Sequence, residues 1–250
     1  FKTKAFAEMI ALQQKTPSSE LVDINFRVKS EKRPADKYSV QVTKLDGALP
    51  RVLSPVLNRD LYGMDWGLGY FKPKACDWCD DIAGETADLA CGDAWLPEFT
   101  HDSGGTNIVV VRNSRISEVI RNGISNGSLI LNEQPVEKVY QSQAANYRHR
   151  QEGLSIRVEK AIAKGIWHPQ KRIAEGSFNV SDERRHIYEL REKIAEKSHV
   201  AFREAKERRS FMMFYLKMLP LELGYYRANN RLLKGLAKSV YWVAKYFFRS

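Results

Sequence analysis

Cys76 and Cys79 form a Cys-x-x-Cys knuckle that leads straight into Ala87-Asp88-Leu89-Ala90-Cys91-Gly92-Asp93-Ala94-Trp95, and no other stretch restricts the chain so much. A two-residue spacer turns the second thiol back beside the first, so that both grip one metal ion or one cluster. Metal or redox chemistry is therefore expected. The spacing by itself fits zinc, an iron-sulfur cluster or a thioredoxin-type dithiol. A dithiol of that type opens a helix after a buried strand, whereas Lys72-Pro73-Lys74-Ala75 before the knuckle and Asp77, Asp80 and Asp81 around it read as a surface loop. A closed zinc site needs four ligands, usually from two knuckles. Only one knuckle exists here, and the third cysteine, Cys91, stands apart.

Elements around the knuckle are legible from hydrophobic spacing. Ala5, Phe6, Met9, Ile10 and Leu12 recur at helical intervals over residues 2–15, and Thr16-Pro17 stops them. Leu21 to Val28 alternates as a strand. Tyr38 to Leu45 and Ala48 to Leu53 flank Asp46-Gly47, a hairpin signal. Between Tyr62 and Tyr70 the glycines Gly63, Gly67 and Gly69 make a loop that either approaches a ring or turns a corner; it lacks the strand-to-helix spacing of a dinucleotide fingerprint. Thr106 to Val111 is a continuous apolar strand, Ser114 to Asn126 a short helix capped at Ser114, and Leu129 to Leu131 a last strand. If Ala87 to Ala94 is a buried strand, Cys91 shares a face with Leu89 and is expected to be a small core residue, the alternative being a further ligand.

The segment from Cys76 to Arg112 resembles the C-terminal domain of the coenzyme F420 hydrogenase/dehydrogenase beta subunits. Its members share a Cys-x-x-Cys, then Ala-Asp, then Gly-Asp-Ala-Trp, then a Gly-Thr-Asn-Val-Val-Val-Arg-like strand. Here these are Cys76 and Cys79, Ala87 and Asp88, Gly92 to Trp95, and Gly105-Thr106-Asn107-Ile108-Val109-Val110-Val111-Arg112. Asp23 to Lys29 and Asn146-Tyr147-Arg148-His149-Arg150 fit as well, and the resemblance covers roughly residues 1–160. It implies an oxidoreductase subunit with a 4Fe-4S cluster and a flavin (FAD or FMN), which passes electrons between a deazaflavin or similar low-potential carrier and a partner redox subunit. Cys76 and Cys79 are then the expected cluster ligands. Members place further cysteines upstream in a segment this chain lacks; it starts at Phe1, inside an expected helix, and is read as a piece of a larger domain that needs the remainder for activity. Three cysteines do not complete a four-thiolate site.

Gly92, Asp93, Thr106, Asn107 and Arg112 are the expected flavin-binding residues. Glycine at a strand end lets backbone approach a ring or a phosphate, and Asp93 can accept from a ring N–H or a ribose hydroxyl, although the same pair also suits an ordinary turn. Arg112 offers a bidentate match to a phosphate. Arg148, His149 and Arg150 make a compact cationic group that either holds the tail of a flavin or deazaflavin or lies on a solvated helix face. No partner carboxylate at helical spacing supports His149 as a general acid or base.

Charge divides the chain. From Val136 onward there are 24 Lys and Arg against 12 Asp and Glu, while residues 1–135 carry 16 against 18, so the net +10 resides in the second half. No apolar run is long enough to span a bilayer, and an odd, low cysteine count fits a reducing cytoplasm better than a disulfide scaffold. Asp182 to Glu207 reads as a helix with one apolar side. In the segment 230–249, Arg231, Lys234, Lys238, Lys245 and Arg249 fall within an arc of about 60°, opposite Leu232, Leu233, Leu236, Val240, Val243, Ala244 and Phe247, with Tyr241, Trp242, Tyr246 and Phe248 at the flanks. Such a helix lies on an anionic membrane surface or docks on its own protein or a partner. Nucleic acid is not an expected partner, because no recognition motif accompanies the charge.

The expected fold is α+β, a mixed sheet with flanking helices and a Cys-x-x-Cys loop over 1–135, followed by a helical basic region over 136–250. The expected function is flavin- and iron-sulfur-dependent electron transfer in the cytoplasm or at the inner face of the membrane. The alternative is a non-catalytic accessory relative in a polysaccharide or other membrane-associated biosynthetic system.

Overall fold

The computed structural model describes residues 2–248, and of 245–248 the backbone alone. Arg249 of the basic helix lies outside the described residues, as do the side chains of Lys245, Tyr246, Phe247 and Phe248. In chain order the elements are α1 (Lys4–Gln13), β1 (Leu21–Val28), β2 (Ser39–Asp46), β3 (Leu49–Val52), β4 (Val56–Leu57), β5 (Leu89–Asp93), α2 (Pro97–Thr100) and β6 (Asn107–Val111). Then follow α3 (Ser114–Ser125), α4 (Val136–Ser142), α5 (Ala144–Arg150), α6 (Glu152–Ala163), α7 (Asp182–Glu207), α8 (Phe211–Ala228) and α9 (Leu232–Phe248). The fold is α+β, and its strands form two small sheets, both antiparallel.

Two compact units divide these elements. One comprises residues 1–29, 37–76 and 179–250; the other comprises 30–36 and 77–178. The division at 135/136 drawn from charge follows composition, whereas the units follow contacts, which bring the last helices together with the first strands.

In the first unit β2 is the central strand. It pairs with β1 (Ile24 opposite Val42), with β3 (Asp46 opposite Leu49) and with β4 (Val40 opposite Val56), all antiparallel. Gly47 begins the two-residue β2–β3 turn at φ +66°, the left-handed value that such hairpin loops require. Val40 and Val42 are fully buried, and Phe6, Met9 and Ile10 of α1 join the core that holds Val40. The Gly63–Gly69 loop turns a corner and is closely packed at two of its glycines. A Cβ at Gly63 would sit 2.8 Å from Met9 Cε and one at Gly67 2.7 Å from the Tyr225 hydroxyl, so close internal packing is what keeps side chains out.

The core is dominated by aromatic rings. Phe214 of α8 has ring centroids of Tyr62, Tyr70, Phe71, Phe202 and Phe211 between 5.6 and 6.1 Å away. α8 runs through Pro220. Pro220 is exposed, so the carbonyl it leaves without a helical donor faces the solvent side.

Within this apolar interior sits a polar chain. The Tyr62 and Tyr70 hydroxyls are 2.7 Å apart, and Tyr70 donates to Glu222 Oε2 at 3.4 Å. Burial pushes the Glu222 carboxyl above its usual range, with Asp65 adding to the rise and Tyr62, Lys238 and Tyr70 opposing it. A raised folded-state pKa means that this group's contribution to stability is full below the unfolded value, about pH 4.5, and is lost as pH rises through the folded value. Glu222→Gln keeps an acceptor for Tyr70 and removes the titration. Urea unfolding should therefore show the variant gaining on the parent as pH rises from about 4.5 to about 8; a difference independent of pH would contradict this account of Glu222.

α9 docks by the side that carries Gly235 and Trp242. Trp242 packs on Phe211 and Tyr215 at centroid distances of 4.8 and 5.1 Å, and a Cβ at Gly235 would come within 2.6 Å of the Tyr226 ring. Trp242, at a flank of the apolar side by helical spacing, is the buried residue, whereas Leu233, Leu236 and Val240 are exposed. Among the described residues no helix is long and apolar enough to cross a membrane.

The second unit contains the β5–β6 ribbon and α2 to α6. Two expectations fail here. Leu129 to Leu131 is irregular, not a strand: the Leu129 side chain folds back over Gly123 of α3, and Ile130 is exposed. The cap of α3 is Asn113, whose side chain accepts from the Arg115 N–H, rather than Ser114.

Candidate functional site

The knuckle lies where the chain passes from one unit to the other, since Cys76 ends a segment of the first and Asp77 begins the second. Both thiols are half-buried and free. The Cys76 N–H donates to Pro73 O at 3.0 Å, closing the turn that leads into the knuckle. Cys79 has a cationic neighbour: Arg150 Nη1, at the end of α5, lies 2.8 Å from Cys79 Sγ and also donates to Asp81 O.

The acidic loop after the knuckle is held by cations from beyond residue 149. Arg157, almost wholly buried in α6, donates through Nε to Asp77 O (2.7 Å) and through Nη2 to His149 O (3.0 Å). Lys171 and Arg172 approach the two oxygens of Asp80 at 3.5 Å each, and Arg172 also bonds Glu85. Burial opposes ionisation of Asp80, but its own backbone N–H, Lys171 and Arg172 prevail and hold the carboxyl below its usual range. The Trp78 ring stacks on His168 with centroids 5.8 Å apart. Single motifs do not reveal this network; its sequence signal is the basic surplus of the second half set against Asp77, Asp80, Asp81 and Glu85.

The ribbon gathers four of the expected flavin residues. β5 and β6 pair with Gly92 opposite Ile108 and Asp93 opposite Asn107, and the Ala94 N–H donates to Thr106 O at 2.9 Å. Gly92, Asp93, Thr106 and Asn107 therefore share one end of the ribbon. That end is braced by Gln143 Nε2, which donates to Asp93 O at 3.0 Å. Gly92 is exposed, and a Cβ built on it would meet no atom within 4 Å, so the strand has an open flank there.

Arg112 is not part of that grouping. It stands just past the far end of β6, roughly 16 Å along the strand from Asn107. Its guanidinium donates to the carbonyls of Ala83 (3.1 Å), Gly84 (3.0 Å) and Ala87 (3.3 Å), clamping the turn before β5. Nor do Arg148, His149 and Arg150 act as one group, because α5 sends them in different directions: Arg148 is exposed, His149 is buried and Arg150 faces Cys79. Cys91 is exposed rather than a core residue. A two-stranded ribbon buries little of either face, and the face carrying Leu89 and Cys91 has no cover of the kind a buried strand would need.

Among the described residues no three of His, Cys, Asp and Glu gather closely enough to hold a metal ion. Cys76 and Cys79 thus supply at most half of a four-thiolate donor set. No curated protein and no solved structure matches the chain. One family model does match over residues 1–137, that of the C terminus of the coenzyme F420 hydrogenase/dehydrogenase beta subunits. That match spans more than half of the 250 residues, including the knuckle and the whole β5–β6 ribbon, and it shows that the chain belongs to the family of coenzyme F420 hydrogenase/dehydrogenase beta subunits, by their C-terminal domain.

Proposed function

We propose that this chain is the C-terminal part of a flavin- and iron-sulfur-dependent electron-transfer subunit, which exchanges hydride with a deazaflavin-type carrier and works within a multi-subunit redox complex. Family membership is the first support. The observation that carries the reading on this chain is the Arg150 guanidinium at 2.8 Å from Cys79 Sγ. A guanidinium in that place stands where it would offset negative charge on cluster-bound sulfur.

In this reading Cys76 and Cys79 hold one side of a 4Fe-4S cluster, and the other ligands come from outside the described residues. Arg150 offsets part of the negative charge that thiolate ligands bring. Arg157, Lys171 and Arg172 keep the following loop in place by neutralising Asp77, Asp80 and Glu85. The flavin, when bound, supplies the conversion of a two-electron hydride into single electrons. Gly92 leaves its flank open to the edge of a flat ring, and Asp93, Thr106 and Asn107 stand beside it with acceptor and donor groups. Arg112 contributes from the other end of the ribbon by fixing the turn that starts β5.

Gly92→Val tests the flavin assignment. Valine suits a strand and its Cβ meets nothing within 4 Å at this position, so the ribbon should keep its fold while its open flank is filled. In the longest natural chain containing these residues, flavin affinity measured by fluorescence quenching should fall by about tenfold or more, the equivalent of about 1.4 kcal/mol. Parental affinity in both Gly92→Val and Asn107→Ala would place the flavin elsewhere.

A further inference from the structure

The last helix presents an apolar stripe on a side that the fold does not use. α9 is fastened to the first unit through Gly235 against Tyr226, Trp242 among Phe211, Tyr215 and Tyr62, and a hydrogen bond from Lys238 Nζ to the Tyr226 hydroxyl at 3.1 Å. At 100° per residue those contacts centre roughly 160° away from the line of Leu233, Leu236 and Val240. These three are 83, 42 and 72% exposed, and Leu232, Ala237 and Ala244 beside them are exposed too. An ordinary amphipathic helix in a folded protein turns such a line inward. Here the small and aromatic side is docked and the aliphatic line is left outside.

Charge indicates what covers it. Residues 230–250 contain five Lys and Arg and no Asp or Glu, whereas α7 balances seven basic residues with seven acidic ones. A mixed surface like that of α7 suits water or a mixed protein partner; a surface carrying only cations suits an anionic one. Lys234 is exposed, and Tyr241, exposed with its hydroxyl donating to Asp60 Oδ1 at 3.0 Å, borders the stripe on the same side as Lys234. Long basic side chains reach sideways from such a position to headgroups while the aliphatic line enters the acyl boundary. A protein groove could accept Leu233, Leu236 and Val240 but gives no reason for the complete absence of acidic residues.

We infer that α9 is a peripheral anchor that lays its Leu233-Leu236-Val240 side on an anionic lipid surface, while its Gly235-Trp242 side stays fastened to the protein. The occupant is an anionic bilayer, contacted in the interface plane and not crossed. Neither the knuckle nor the ribbon enters into this anchor, so it stands independently of the redox reading.

Vesicle co-sedimentation of the full chain tests it, with phosphatidylcholine alone and with phosphatidylcholine containing roughly one-third phosphatidylglycerol. Binding to the anionic vesicles should exceed binding to the neutral ones by about tenfold and should weaken as salt rises. The double variant Leu233→Glu, Val240→Glu should lose the binding while keeping the parental circular dichroism and unfolding midpoint, because both side chains are exposed. Lys234→Glu, a change at an exposed cation, should weaken binding without touching the apolar line. Equal sedimentation of parent and both variants, or none of the parent with anionic vesicles, would overturn the anchor. So would a parental dimer in sedimentation velocity that the double variant dissolves, which would assign the stripe to a second copy of this chain.

Discussion

Cys76→Ser and Cys79→Ser should each strip the iron from the natural protein, taking it from about four atoms per cluster to near none and abolishing the visible charge-transfer absorption. The size of the effect follows from ligand chemistry. A serine hydroxyl gives up its proton far less readily than a thiol and is a harder ligand than sulfur, and a cluster that loses one of its few thiolates loses its hold. Replacing one sulfur by oxygen at a half-buried position leaves packing almost unaltered, so the unfolding transition should stay near that of the parent stripped of its iron. Cys91→Ser is the control. Cys91 is exposed on the β5–β6 ribbon, opposite Val109, and its loss should leave iron content intact. Iron and absorption that survive at Cys79→Ser would remove the knuckle from the cluster, and iron lost only at Cys91→Ser would move a ligand to the ribbon.

Phe214→Ala should destabilise the first unit by about 3–5 kcal/mol in urea unfolding. Phe214 is fully buried, and five aromatic rings surround it at centroid distances of 5.6 to 6.1 Å. Removing the ring forfeits its transfer free energy and leaves a cavity that stiff neighbours do not close. Those neighbours come from the 62–71 loop, α7 and α8, so the loss bears on three segments at once. Leu216→Ala, two residues along the same helix and 58% exposed, should cost within about 0.5 kcal/mol. A cost below about 1 kcal/mol at Phe214 would show that the aromatic cluster is not the centre of this unit's stability. Because the chain holds two compact units, the transition is best followed with a probe in the first, such as Trp242 fluorescence.

Periodicity reveals elements that depend on their own residues. Alternation and helical spacing give Leu21–Val28 and Asp182–Glu207 to the residue, and α1 and the Asp46-Gly47 hairpin to within two or three. Elements and surroundings set by neighbours are less legible. Leu129 to Leu131 has strand residues but no strand to pair with, and Leu129 serves α3 instead. Cys91 alternates as a core residue would, yet the ribbon that carries it is only two strands wide. α9 is amphipathic as its spacing suggests, but which side docks depends on Tyr226 accepting Gly235 and on a ring cluster that accepts Trp242.

The candidate site divides in the same way. Gly92-Asp93 and Thr106-Asn107 stand out in the sequence as separate pairs, and antiparallel pairing of β5 with β6 brings them together. Arg112 is visible as a strand-end cation, but its use as a clamp on Ala83, Gly84 and Ala87 depends on a turn about 25 residues earlier in the chain. The contact of Arg150 with Cys79 spans 71 positions, and no local rule connects the two. Long-range charge pairing of this kind is legible only as composition, an acidic loop and a basic remainder, until the fold assigns partners.

The most direct test of the redox account is an anaerobic ultraviolet-visible spectrum, with iron and flavin quantified, of the longest natural chain that contains these 250 residues. The account predicts flavin bands together with broad iron-sulfur absorption and about four iron atoms per cluster. A colourless, correctly folded protein without iron or flavin after anaerobic purification would contradict it.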